Sequence, residues 1–174
     1  MPGWDGLHPL IVHFPIALLL VAPLFVLIGA FLSPEKGKPF FIAGLLLMVL
    51  GTISMFVASS TGEAARRVAT KTPQIRAVLE QHEDLAETTE VVFAVLTVAF
   101  GALLFVPGIL RRQLSRKLGA RLLVIFFLGY VAGAVLLADA AHQGGVLVHD
   151  FGVRARTAAG SAPVPTVVDK EQIR

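Results

Sequence analysis

The chain has 174 residues, 55% of them hydrophobic and 16% charged, whereas soluble domains carry roughly one quarter charged residues. With a mean hydropathy of +0.76, this composition is that of an integral membrane protein, and four crossings of about 20 residues each leave no room for a large catalytic domain. The formal charge of +3 sits in short loops rather than in a stripe, which argues against a nucleic-acid partner, and the lack of cysteine excludes disulfides, zinc ribbons, iron–sulfur clusters, covalent c-type haem and thiol nucleophiles.

Four stretches free of Asp, Glu, Lys and Arg, at 6–34, 39–62, 91–110 and 122–138, are the expected membrane crossings. The expected spans are about 9–32, 40–60, 88–110 and 121–141 of one membrane domain over 1–153. The first stretch has no basic residue before it and reads as a retained helix rather than a secretory signal. The fold expected is all-α: a four-helix transmembrane up-down bundle with a helical periplasmic extension before span three. No internal repeat is apparent.

The connections set the orientation. Between spans one and two, and between spans three and four, lie seven basic residues and one acidic, a net +6; the rest of the chain carries eight basic and eleven acidic residues, a net −3. Positive loops stay inside, so both termini are expected in the periplasm of a bacterial inner membrane. The tail at 154–174, with Gly, Ser, Ala and two prolines and no sustained period, is expected to be extended or disordered.

The stretch before span three is legible. Thr72 and Pro73 suit an N-cap and a first helical position, from which a helix can run unbroken into the span. At 100° per residue, Ile75, Val78, Leu79, Leu85, Ala86, Thr89 and Phe93 share one face, and Arg76, Glu80, Glu83, Asp84, Glu87 and Glu90 the other. His82 falls on the apolar face. Gly144 and Gly145 are expected to end the helix of span four, and Gly129 with Gly133, Gly44 with Gly51, and Gly101 to admit close helix contact.

All five histidines, His8, His13, His82, His142 and His149, gather at one end of such a bundle. Imidazole is the commonest metal-ligating side chain and an awkward lipid-facing one, so this end is the candidate site. Heights counted from the inner ends put His13 and His142 at one level and His82 on the order of 13 Å further out, near His8. Helices packed about 8–10 Å apart are too close for a porphyrin ligated on both faces, which favours diagonal spans one and three.

The expectation is haem b with His82 and His13 as axial ligands, His8 and His142 in reserve. Phe14, Leu85, Phe93 and Leu136 would form apolar walls, and Arg66, Arg67 or Lys71 would lie near the propionates. Asp139, three residues before His142, could orient that ring. Two other readings stand beside this one: a copper or zinc site involving His13 and His82, and a cofactor-free accessory or assembly subunit of a membrane redox complex, its histidines merely hydrogen-bonded at the interface. In each the protein is a carrier or subunit rather than an enzyme, with membrane lipid and a periplasmic or membrane redox protein as partners, and an oligomer or complex as its setting.

HPLIVHFPIALL at 8–19 and GGVLVHDFGV at 144–153 resemble the two ends of the bacterial membrane family known as domain of unknown function 2231. The resemblance covers about residues 7–154 and implies a four-span domain, in some proteins fused to Rieske-type or cytochrome c domains, hence periplasmic electron transfer. It carries His8 and His13 over from the first motif and His82 more loosely. In the second motif His149 and Phe151 occupy the places where the family more often has Tyr and His.

Overall fold

A computed structural model of the chain describes residue 8 and residues 11–68, 72–111 and 115–151, without the side chains of 64–68. Four helices account for nearly all of it: α1 (His13–Phe31), α2 (Pro34–Val68), α3 (Pro73–Ile109) and α4 (Arg116–His149). All four are long and apolar enough to cross a membrane, and among the described residues there is no strand. The protein is an all-helical membrane protein.

The ends follow local chemistry. Thr72 caps α3, its side chain accepting from the Ile75 amide at 3.3 Å, with Pro73 in the first turn, and α3 runs unbroken to Ile109. Ser115 caps α4 in the same way through the Leu118 amide. The amphipathic reading of the α3 extension holds for most positions: Ile75, Val78, Leu79, Leu85 and Ala86 are half-buried and Thr89 and Phe93 buried, while Arg76, Glu80, Asp84 and Glu87 are exposed; Glu83 and Glu90, expected on the polar face, are half-buried, Glu90 accepting from the Ser59 hydroxyl of α2 at 2.7 Å.

Gly144 and Gly145, expected to stop α4, do not. The helix continues to His149 and is capped at Asp150. The reason is packing: Gly144 lies where a neighbouring side chain presses on α4, so there the glycine serves close approach rather than a left-handed turn. The expected Asp139–His142 pairing is also absent, both side chains being exposed with no ion pair between them.

Sequence neighbours pack side by side. The α1–α2 hairpin is the tightest contact and α3–α4 the next; α2 on α3 is looser, α1 on α4 sparser still, and the diagonal pairs do not touch. The bundle is therefore a ring in which α1 and α3 are diagonal, as expected.

Glycines permit the close approaches. A Cβ at Gly44 would sit 2.8 Å from Val26 Cγ2, one at Gly51 2.7 Å from Leu19 Cγ, and one at Gly133 3.2 Å from Val92 Cγ1. Where apolar packing alone cannot distinguish helix from lipid, such contacts and buried polar links hold the helices together. Thr52 and Thr97 share a hydrogen bond of 3.0 Å between α2 and α3, and the Tyr130 hydroxyl of α4 donates to the Leu19 carbonyl of α1 at 2.6 Å. Aromatic rings fill the centre, with Phe100 stacked on Phe126 at 4.8 Å and Tyr130 edge-on to Phe93 at 5.3 Å. The outward faces carry side chains such as Val98 and Leu128, 73% and 68% exposed, as expected of a lipid-facing surface.

Candidate functional site

The up-down course puts the start of α1, the start of α3 and the ends of α2 and α4 at one end of the bundle, and all five histidines are there. Their environments differ sharply. His8 and His82 are half-buried; His13, His142 and His149 are exposed.

His8 stands one helical turn ahead of α1, its carbonyl accepting from the Val12 amide at 3.1 Å. Its Nδ1 lies 2.9 Å from the Ala58 carbonyl of α2 and 3.2 Å from Thr61 Oγ1. Because a carbonyl can only accept, Nδ1 carries the proton and Nε2 keeps its lone pair. Thr61 is fully buried and donates its own proton to the same Ala58 carbonyl at 2.8 Å, leaving its oxygen free to accept from His8.

His82, on α3, repeats the arrangement. Its Nδ1 donates to the Ala140 carbonyl of α4 at 2.9 Å, so Nδ1 is here too the nitrogen whose proton is committed. Each ring also lies against a glycine one turn beyond the accepting alanine: a Cβ at Gly62 would meet His8 Cε1 at 3.0 Å, and one at Gly144 would meet His82 Cε1 at 3.3 Å. Neither Nε2 has a hydrogen-bond partner among the described residues, where no buried polar side-chain atom is left unpaired.

The two imidazoles are close enough to affect each other's charge. Burial holds the His8 pKa below the ordinary 6.5; the Ala58 carbonyl opposes this, and the neighbouring His82 adds to the lowering. The folded state thus binds the His8 proton less readily than the unfolded chain, so this contribution to stability is complete above about pH 6.5 and is lost as the pH falls below it. Thermal unfolding in detergent at a series of pH values is expected to show a falling midpoint on acidification below that point, with a smaller fall in His8→Gln.

Other anticipated residues do not converge here. His13 is exposed, and Phe14 is 64% exposed, on the outer surface of α1 rather than against His82. His142 and His149 line a shallow groove with Gly145, Val146 and Asp150 on the last turns of α4. Phe93 is fully buried in the core below the histidines. Arg66 and Arg67 belong to the last turns of α2, with side chains outside the described residues; Lys71 and 154–174 also lie outside them. Among the described residues no three His, Asp or Glu side chains gather to hold a metal ion. Ala58, Gly62 and Ala140, which help fix the two rings, escaped the sequence reading because small apolar residues in an apolar span carry no chemical signal of their own, and Thr61 because a single hydroxyl beside a span is ordinary.

Fold and site together define a four-span membrane protein with a pair of histidines, each donating from Nδ1 to a backbone carbonyl and supplied from diagonal positions of the ring, at one end of its bundle. The chain belongs to the family described as Predicted membrane protein (DUF2231), whose family model matches residues 5–157. No match was found among the curated proteins or the solved structures.

Proposed function

We propose that the protein is a b-type haem electron carrier of the bacterial inner membrane, with His8 and His82 as the two axial ligands. The observation that carries the reading is the matched state of the two rings, each with Nδ1–H committed to a backbone carbonyl and Nε2 open. That hydrogen bond is the usual partner of a metal-ligating imidazole, fixing its tautomer and raising its basicity. The set of two nitrogens suits a metal whose remaining ligands come with a macrocycle better than a bare zinc ion, which takes four ligands.

Haem would supply the one-electron change of its iron. With its iron held by two protein imidazoles, no place would be left on it for substrate, and the role would be electron transfer. The chain's part is to hold the two imidazoles at the bundle mouth, where a partner can approach. His13 and His142, exposed and apart from this pair, remain the alternative ligands.

The test is the absorbance spectrum of the full chain purified in detergent from cells with ample haem. A Soret band with sharp α and β bands on reduction is expected. A colourless protein with stoichiometric copper or zinc would replace this reading with a metal site, and a colourless, metal-free protein with an accessory subunit.

The orientation proposed puts the histidine end in the periplasm. The basic residues Lys36, Lys38, Arg111, Arg116, Lys117 and Arg121 lie at the opposite end, where the positive-inside rule places the cytoplasm. A reporter active only in the periplasm is expected to work when fused after Arg174 and to fail when inserted between Arg116 and Arg121. The reverse pattern would move the site to the cytoplasmic face.

A further inference from the structure

The two histidine environments are alike in more than their hydrogen bonds. Along α1, Pro15, Leu19 and Val26 are buried, and the same steps counted from His82 along α3 reach Thr89, Phe93 and Phe100, all buried; Ala22 and Gly29 of α1 and Thr97 of α3 are buried opposite half-buried counterparts. Inward from Ala58 on α2, the buried positions Met55, Gly51 and Met48 match Leu137, Gly133 and Tyr130 inward from Ala140 on α4. One turn outward, Gly62 and Gly144 each face Cε1, then Nδ1, then Nε2 of their own histidine, in the same order of distance.

The ring of helices has the corresponding symmetry. Each hairpin is packed more extensively than either contact between the hairpins, and the backbones of neither diagonal pair meet. A two-fold axis along the bundle exchanges α1 with α3 and α2 with α4, the arrangement of parallel repeats in membrane proteins.

We infer that the domain is a duplicated helix hairpin and that Gly62 and Gly144 are equivalent positioning residues, each seating one imidazole so that its Nδ1–H is taken by an alanine carbonyl and its Nε2 is offered to one ligand lying between the hairpins. A ligand on such an axis meets the same nitrogen donor from either side, which fits a flat group with two like faces. Only the identity of that ligand as haem rests on the function proposed above; the equivalence of the two seats does not.

The glycines are required because each ring lies edge-on to the backbone of the facing helix. A Cβ at Gly62 crowds the His8 ring and not His82, one at Gly144 the reverse, and a longer side chain at either place competes with the ring for its space. A seat can therefore be removed singly without touching the histidine itself. Gly145, one residue on, has nothing within 4 Å of its Cβ position and is the control.

The experiment is a long-range proton–nitrogen spectrum of the full chain, labelled with nitrogen-15 histidine, in detergent at pH 7.5 and prepared from haem-limited cells. His8 and His82 are assigned by His8→Gln and His82→Gln. Both are expected as neutral rings protonated on Nδ1, unlike His13, His142 and His149, which are expected to show the solvent-averaged pattern. Gly62→Leu is expected to convert only the His8 signals to that averaged pattern, Gly144→Leu only those of His82, and Gly145→Leu neither. The alanine variants at 62 and 144, which ask the ring to move by only a few tenths of an ångström, are expected to shift the same signals in the same selective way, and they decide the matter if a leucine variant does not fold.

An Nε2-protonated ring at His8 or His82 in the unmodified chain would overturn the inference, as would glycine variants that disturb both rings or neither. The expected tautomers in a chain that binds no haem would defeat the haem assignment and leave the duplicated seats standing. Bound haem with insensitive tautomers would do the opposite.

Discussion

His8→Ala and His82→Ala are each expected to abolish the low-spin haem spectrum, whereas His13→Ala, His142→Ala and His149→Ala retain it. The division follows from the structure: only His8 and His82 combine partial burial, a protonated Nδ1 held at 2.9 Å by a carbonyl, and a free Nε2. Removing merely the hydrogen-bond partner of a metal-ligating histidine typically costs roughly 10–100-fold in affinity. Removing the ligand itself is expected to exceed that, giving haem-poor protein or a high-spin, five-coordinate form that binds carbon monoxide. The measurement is haem per protein together with the reduced α band for each variant. Loss at His13 and His142 with His82 indifferent would transfer the site to the level shared by those two side chains. Unchanged spectra in all five variants would remove histidine ligation altogether.

The fold was legible because bilayer thickness and charge act directly on composition. Four charge-free runs of the right length and a net positive charge in the two short loops leave little freedom beyond a bundle, and Thr72-Pro73 marks the start of α3 by an interaction that is local in sequence. The grouping of histidines at one end was equally legible, since it needs only alternation of direction. The direction in which each ring turns was not. His13 lies nearer the membrane-crossing part of α1, and a height count cannot show that its ring faces outward; that depends on the rotation of α1, which is set by Gly44 and Gly51 of α2 accepting Val26 and Leu19. Gly144-Gly145 resembled a helix stop for a similar reason: within a sequence, a glycine that ends a helix and one that receives a ring from another helix look the same. The repeat was hidden as well. GTISMFVASSTG at 51–62 and GAVLLADAAHQG at 133–144 share only the first Gly, the Ala and the last Gly, and paired positions differ even where both are buried, as at Met55 and Leu137.

The largest loss of stability is expected from a substitution far from the histidines, Gly37→Ala at the start of α2. Its Cβ would fall on the Gly29 carbonyl oxygen of α1, and a Cβ at Gly29 would in turn lie 3.0 Å from the Gly37 carbonyl oxygen. Backbone meets backbone there, at the tight Leu32–Ser33 connection, so no rotamer change can relieve the clash and the two helices must part at the turn. Parting them disturbs the tightest hairpin of the bundle and, through it, the seat of Leu19 on Gly51. Overpacking of this kind typically costs about 1–3 kcal/mol, and the rigid obstacle puts Gly37→Ala at the upper end. Gly119→Ala is the contrasting case: it lies within α4 with nothing within 4 Å of its Cβ position, and replacing a helical glycine by alanine at a free position gains roughly 0.4–1 kcal/mol. Thermal unfolding of the two variants in the same detergent is expected to move the midpoint in opposite directions, down for Gly37→Ala and slightly up for Gly119→Ala. Equal midpoints would mean that α1 and α2 do not approach through these glycines, and the rotation of α1 that turns His13 outward would lose its support.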